Sequence, residues 1–139
     1  MAVRAVRNPD DGRIDFFDER GRVVSTVTVE RDAYGRTTEI VQTTGATVTA
    51  RLRHRYFDDE LRIHTTVTIF GIDVSQRDRT FDERGVVIAE RETQMNGTAR
   101  DTKHSYTFNE IGDWIEVRSV IRADDVQTES VTRRTIAYV

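Results

Sequence analysis

The sequence predicts an all-β protein, and three observations support that prediction. Apolar and polar residues alternate along most of the 139-residue chain, which is the period of a half-buried strand. Short segments rich in Asp, Asn and Gly separate these stretches and have the composition of tight turns. No window has the 3.6-residue period of a helix, because the nearest, Val126 to Arg134, contains threonines that favour a strand. We therefore predict about ten antiparallel strands in meander order, forming a strongly curled sheet or a closed barrel, in a single domain over residues 1–139.

The clearest alternation lies in residues 46–57 and 61–70, on either side of a short acidic turn. In each stretch the apolar side chains share one parity, which also includes His54 and Thr65, and the other Arg, His and Thr side chains share the opposite parity. This pattern predicts a hairpin of two half-buried strands. We expect four apolar residues of the hairpin to share a buried layer: Val48, Leu52, Ile63 and Val67.

The register of this hairpin decides whether its two histidines could bind a metal. A three-residue loop would place His54 opposite His64, but it would also put the two apolar sets on opposite faces. A two- or four-residue loop aligns the apolar sets, with His54 opposite Ile63 and His64 opposite Arg53. The histidines then lie on different faces, so we predict no metal site.

The remaining strands follow in order between turns. The segment Asp73 to Thr80 is the most polar of them, and we therefore expect it at an edge of the sheet. The other predicted strands are Arg13 to Phe17, Val23 to Val29, Arg36 to Thr43, Val86 to Thr93, Lys103 to Phe108, Asp113 to Val117 and Thr128 to Tyr138.

Composition narrows the class of protein. Charged residues make up 32% of the chain and hydrophobic residues 37%, which is too apolar for a disordered chain. The chain is long enough to bury roughly two-thirds of its extended surface. A net charge of −3 gives no general attraction to nucleic acid, and the absence of cysteine excludes disulfides and thiolate chemistry. Without a signal peptide or a membrane span, we expect a cytoplasmic protein, or an extracellular one if it is excised from a larger chain.

A short turn motif recurs along the chain: an aromatic residue, Asp or Asn, two polar residues and Gly. Its copies are Phe17 to Gly21, Phe81 to Gly85 and Phe108 to Gly112, with a looser variant at Asp32 to Gly35. The Asp or Asn side chain can accept a hydrogen bond from the backbone two residues on, and the glycine can adopt positive φ as a bulge. Each copy therefore predicts a tight hairpin turn.

These turns resemble the YD-repeat (RHS-repeat) family. The resemblance rests on Phe17-Asp18-x-x-Gly21-Arg22, on the Phe81 and Phe108 copies, and on Asp32-x-Tyr34-Gly35-Arg36. The last copy, through Trp114, is similar to a Gly-Asn-Trp-bearing variant of small bacterial repeat proteins. The resemblance implies a curling antiparallel sheet with a scaffold role and no catalysis by the repeats. The uneven spacing of the turn glycines, 14, 50 and 27 residues, favours a compact single domain over a large shell.

The hairpin carries the first candidate site, a basic stripe formed by Arg51, Arg53, Arg55, Arg62 and His64. It could bind phosphate, carboxylate or an acidic partner. The alternative is a solvated strand face whose charges are balanced by neighbouring acids and guard against edge pairing. The stripe lacks the interleaved aromatic residues that suit single-stranded nucleic acid.

The second candidate site lies in the closing strand, where Arg134, Ile136 and Tyr138 share a face. In a closed barrel, Arg134 and Tyr138 could hold a carboxylate; otherwise the arginine is exposed. His104 alternates with aromatic residues and is predicted to pack, and no catalytic or cofactor motif is present. We therefore expect a non-catalytic structural or protein-interaction module that self-associates through sheet edges, needs no cofactor and binds no nucleic acid. The alternative is a β-barrel that binds a small lipid or carboxylate.

Overall fold

The structure, a computed structural model, describes residues 4–8 and 12–139, with side-chain contacts from Gly12 onward. It forms an antiparallel sheet of eleven strands in the order of the sequence. The strands are β1 (Arg4–Asn8), β2 (Arg13–Phe17), β3 (Val23–Arg31), β4 (Thr37–Thr44), β5 (Thr47–Phe57), β6 (Arg62–Ile69), β7 (Ile72–Phe81), β8 (Val87–Gln94), β9 (Ala99–Phe108), β10 (Trp114–Ala123) and β11 (Val126–Arg133).

The predicted all-β meander is confirmed. The strand that sequence reasoning missed is β1, which pairs with β2 in register from Arg4 opposite Phe17 to Asn8 opposite Arg13. Within the described residues the only helical segment is a 3₁₀ turn, Asp58–Glu60, and no helix is long and apolar enough to cross a membrane. The strand order has β1 and β11 at its two ends, and the described residues do not pair them. The closed-barrel option is therefore not supported.

The position of β7 corrects a second prediction. This polar strand lies between β6 and β8 in the sheet order, although its composition suggested an edge. Its charged side chains have partners on the neighbouring strands: Asp73 accepts from Thr68 at 2.8 Å, and Arg77 pairs with Glu92 at 3.1 Å. Polarity alone is thus a poor guide to an edge when charged side chains such as Arg77 have partners on a neighbouring strand.

The recurring turns adopt the predicted mechanism. Asp18 Oδ1 accepts hydrogen bonds from the main-chain N–H groups of Arg20, at 2.9 Å, and Arg22, at 3.0 Å. Gly21 then takes φ of +75°, which an L side chain rarely adopts. The same hydrogen bonds, two and four residues on, recur at three other residues: Asp32, Asp82 and Asn109.

The central hairpin uses the four-residue loop of the two predicted options. Residues 58–61 separate β5 from β6, and Leu61 ends the 3₁₀ turn in the left-handed region with φ of +47°. His54 Nδ1 lies 2.8 Å from Thr65 Oγ1. The His54 side chain therefore contacts Thr65 and not the expected Ile63, a residue of the same parity, because the four-residue loop spans residues 58–61 and not 57–60.

The expected buried layer is absent from the described residues. No hydrophobic side chain there is buried; Thr65, with 7% exposure, is the only buried residue, whereas Val48 is 39% exposed. A strand pattern predicts which side chains share a face, but it does not supply a second layer to cover that face.

Two compact units divide the chain. The first comprises residues up to Tyr56 with His64–Gln76, and the second comprises Phe57–Ile63 with Arg77–Val139. The first unit contains β1 to β4 with most of β5 and β6; the second contains β8 to β11 and the second half of β7.

Candidate functional site

In the first unit, the predicted basic stripe is partly neutralised. Glu39 Oε1 lies 2.8 Å from Arg51 Nε and 3.8 Å from Arg53 Nε, because β4 and β5 pair Glu39 with Arg53. Arg53, Arg55 and His64 line a shallow groove of about 340 Å³ together with Glu39. The structure therefore brings these three predicted residues together, but with a carboxylate among them.

Arg62, the remaining member of the stripe, belongs to the second unit. Its guanidinium pairs with Glu60 at 2.9 Å and Asp78 at 2.6 Å, and it stacks 4.0 Å from the Phe57 ring centroid. Hydrogen bonds to Glu60 and then Asp78 raise the pKa of Arg62 above its ordinary value. These contacts occupy the guanidinium of a residue that was a candidate for binding a ligand or partner, and they agree with the alternative of a face whose charges are balanced by neighbouring acids.

The second predicted pair, Arg134 and Tyr138, contacts the turn that joins β9 to β10 and the first residue of β10. Arg134 Nε donates to Trp114 O at 2.6 Å, and its guanidinium lies 3.7 Å from the Trp114 ring centroid. Tyr138 donates to Asp113 Oδ2 at 2.5 Å and accepts from Asn109 Nδ2 at 2.8 Å. The hydrogen bond to Asp113 raises the pKa of Tyr138. Because 55% of Tyr138 is exposed, this pair holds a turn at the protein surface through hydrogen bonds and does not line an enclosed pocket.

A repeated histidine–tyrosine pair was missed by sequence reasoning. In the first unit Tyr56 donates to Thr37 O at 2.6 Å, and its ring centroid lies 6.4 Å from that of His54. In the second unit Tyr106 donates to Val87 O at 2.7 Å, and its ring centroid lies 6.3 Å from that of His104. In both copies the accepting residue precedes the tyrosine by 19 positions. The signal was present in the sequence: His-x-Tyr occurs twice, 50 positions apart, which is also the interval from Gly35 to Gly85.

The second copy places His104 between a hydroxyl and a carboxylate. Its Nδ1 lies 2.7 Å from Ser119 Oγ, and its Nε2 lies 3.3 Å from Glu90 Oε2. A hydroxyl, an imidazole and a carboxylate in a row can activate a nucleophile. In the first copy, however, His54 keeps its hydroxyl partner while position 40, which corresponds to Glu90, is Ile. The hydroxyl bond thus recurs in a copy where Ile40 stands in place of the glutamate, which favours a structural role for the pair.

The second unit also carries a groove of about 590 Å³, which the sequence did not indicate. It lies over β7 to β11, where cross-strand pairing aligns its residues in rows. Lys103 faces both Ala89 and Val120, and Asp101 faces both Arg91 and Arg122. The groove therefore has a small apolar floor bordered by charged side chains.

The last strand presents a different surface. All eight residues of β11 are exposed, including Val126 with 63% and Val131 with 44% exposure. The strand pairs with β10 on one side and stands at the end of the sheet order. Its other edge thus offers main-chain donors and acceptors.

The fold and these surfaces define an all-β protein of the antiparallel meander type. No family model matches the chain, and a search of curated proteins found no match. Among solved structures the chain is similar to a porin-like protein from Bacteroides uniformis ATCC 8492, with a TM-score of 0.61 and 8% sequence identity. The match covers 86% of this chain and 62% of that protein, so the chain spans less than two-thirds of its length. At this identity the likeness concerns the fold alone.

Proposed function

We propose that this chain is a non-catalytic structural β-module that associates through the edge of its sheet, with a second copy as the partner. The observation that carries the proposal is that all eight residues of β11 are exposed at the end of the sheet order. Strands at sheet edges are templates for pairing unless proline, lysine, a bulge or a covering element blocks them. The sequence of β11, VQTESVTR, has neither proline nor lysine, and its pairing with β10 is unbroken by a bulge.

The main chain of β11 is oriented for such pairing. Arg134 N donates to Ile115 O at 3.0 Å, so the even-numbered residues of this strand bond to β10. The odd-numbered residues then direct their N–H and C=O groups to the open edge. These are Gln127, Glu129, Val131 and Arg133.

Charge selects a register between two copies. If Val131 faces its own counterpart antiparallel, Glu129 of each copy faces Arg133 of the other. If Glu129 faces its counterpart, two like charges oppose each other, which is unfavourable. The first register therefore places opposite charges symmetrically around a valine pair, as a two-fold axis requires. Arg133 would then face Glu129 of the other copy in addition to its own Glu116, with which it pairs at 2.8 Å.

Two further features support a structural role. The apolar side chains of the described residues are half-exposed, so association would remove apolar surface from water. The turn motif resembles the YD-repeat family, for which a scaffold role is expected. A contact along one strand is smaller than a standard interface, so the association should depend on protein concentration.

Sedimentation velocity over a range of concentrations tests the proposal. Val131→Lys puts a charge in the centre of the edge, whereas Val23→Lys places the same charge at a position of similar exposure, 48%, on β3 within the sheet. We expect the wild type and Val23→Lys to gain mass with concentration and Val131→Lys to remain a single chain. A wild type that keeps the mass of one chain at every concentration would refute self-association, as would equal behaviour of the two variants.

A further inference from the structure

The groove over the second unit has properties of a binding site, and it shares only the side chains of Gln127 and Glu129 with the strand edge. Its volume of about 590 Å³ lies within the range of small-molecule sites, about 300–1,000 Å³. Its lining combines the methyl groups of Ala89 and Val120 with three cationic and three anionic side chains. The balance of charges decides what it could hold.

Each carboxylate that lines the groove already has a partner. Asp78 pairs with Arg62 at 2.6 Å, and Asp101 receives two hydrogen bonds from one nitrogen of Arg91, at 2.9 and 3.0 Å. Glu90 lies 3.3 Å from His104 Nε2. Each of the three carboxylates in the groove is therefore already bonded to a side chain of the protein itself.

Two cationic side chains of the groove lining, Lys103 and Arg122, have no carboxylate partner among the described residues. No carboxylate of the described residues lies within 4.0 Å of Lys103 or Arg122, and the side-chain partner of Arg122 is the neutral Gln127, at 3.3 Å. Lys103 is opposite Val120, and Arg122 follows two residues later on the same strand. Such diagonal neighbours are about 7–8 Å apart, within the reach of two long side chains. Both cations can therefore contact one anion.

We propose that this groove binds a small organic monocarboxylate, with its carboxylate between Lys103 and Arg122 and its apolar body on Ala89 and Val120. A guanidinium matches a carboxylate in a planar, two-bond geometry. A single negative charge suits the site better than two, because Asp101 faces Arg122 from β9 and Glu129 faces Val120 from β11. A phosphate dianion would be repelled by both.

Titration of the isotope-labelled full chain with hexanoate, followed by amide NMR, tests the assignment. We expect saturable shifts confined to the amides around Ala89, Lys103 and Val120. Because a hydrogen bond to a charged group contributes about 1.5–3 kcal/mol, Lys103→Gln and Arg122→Gln should each weaken binding by about tenfold or more. Arg20→Gln removes the same charge from an exposed turn and should leave binding unchanged.

Four outcomes would overturn the proposal. These are shifts that do not saturate, shifts spread over the chain, an equal loss in Arg20→Gln, and inorganic phosphate binding as tightly as hexanoate. Lys103 is exposed, so the amide spectrum of each variant should remain that of the folded chain and show that the loss is local. Val131→Lys, which disrupts the strand edge, should bind hexanoate as the wild type does, so the groove and the edge can fail separately.

Discussion

Replacing Gly12 by alanine should destabilise the protein more than replacing Gly35 by alanine. Both glycines belong to the first unit and have positive φ, +58° and +79°. An added Cβ at Gly35 meets nothing within 4 Å, whereas at Gly12 it would lie 2.6 Å from the main-chain oxygen of Val29. The pair of variants therefore separates backbone strain from steric overlap.

The magnitudes follow from these distances. A left-handed backbone conformation destabilises an L residue by about 1–2 kcal/mol. Replacing glycine also lowers the conformational entropy of the unfolded chain, which stabilises the folded state by about 0.4–1 kcal/mol. Gly35→Ala should thus lower the free energy of unfolding by about 1 kcal/mol. At Gly12 the obstacle is backbone and cannot rotate away, so the hydrogen bond from Val29 N to Gly12 O, 2.7 Å, must lengthen or break. That adds about 0.5–1.5 kcal/mol for the bond and more for the displaced strand.

Urea unfolding at a fixed, low protein concentration measures the difference. We expect Gly12→Ala to lose about 2–3 kcal/mol of unfolding free energy, with an m-value close to that of the wild type. A loss in Gly12→Ala no greater than that in Gly35→Ala would refute the reasoning. It would mean that the approach of Gly12 to Val29 does not contribute to the stability of the β2–β3 pair.

Three further predictions concern side chains that form hydrogen bonds. Tyr106→Phe removes the bond to a main-chain oxygen and should cost about 0.5–1.5 kcal/mol in urea unfolding, and Tyr56→Phe, its counterpart in the other unit, should cost a similar amount. The hydrogen bond from the main-chain N–H of Arg22 holds the pKa of Asp18 below its ordinary value. The ionised Asp18 therefore stabilises the fold fully above about pH 4, and this stabilisation is lost as pH falls through the lowered pKa. In Asp18→Asn the acid-dependent loss of unfolding free energy should be smaller than in the wild type. Asp113→Asn should lower the pKa of the Tyr138 phenol towards its ordinary value in an NMR titration, because the hydrogen bond to that carboxylate is the main cause of the rise.

Local chemistry made much of the fold predictable. Side-chain alternation identified β5 and β6, and the Asp-x-x-Gly turns located the hairpins, because both signals depend on a few adjacent residues. The position of β7 was not predictable in this way, since its charges are neutralised by residues such as Glu92 that are distant in sequence. Nor could alternation show that the apolar face of residues such as Val48 would remain half-exposed.

The candidate site was less predictable than the fold. Sequence identified the arginines of β5, but not that Glu39 on β4 would lie beside them, because cross-strand pairing is a property of the register. Lys103 and Arg122 attract no notice in the sequence, since they are 19 positions apart and separated by a turn. Pairing of β9 with β10 makes them diagonal neighbours.

The interval of 50 residues between the two histidine–tyrosine pairs has a consequence for how such a chain can change its length. An interval of 50 residues separates His54 on β5 from His104 on β9, four strands further along the sheet. Because four is an even number of strands, an inserted copy would leave the direction of the following strands, and the face to which each of their side chains points, unchanged. The hydroxyl bond of each tyrosine would be copied with the stretch, because its acceptor is a main-chain oxygen 19 residues earlier in the same segment. Tandem duplication of that stretch is therefore a mutational route by which the sheet can grow wider in a single step.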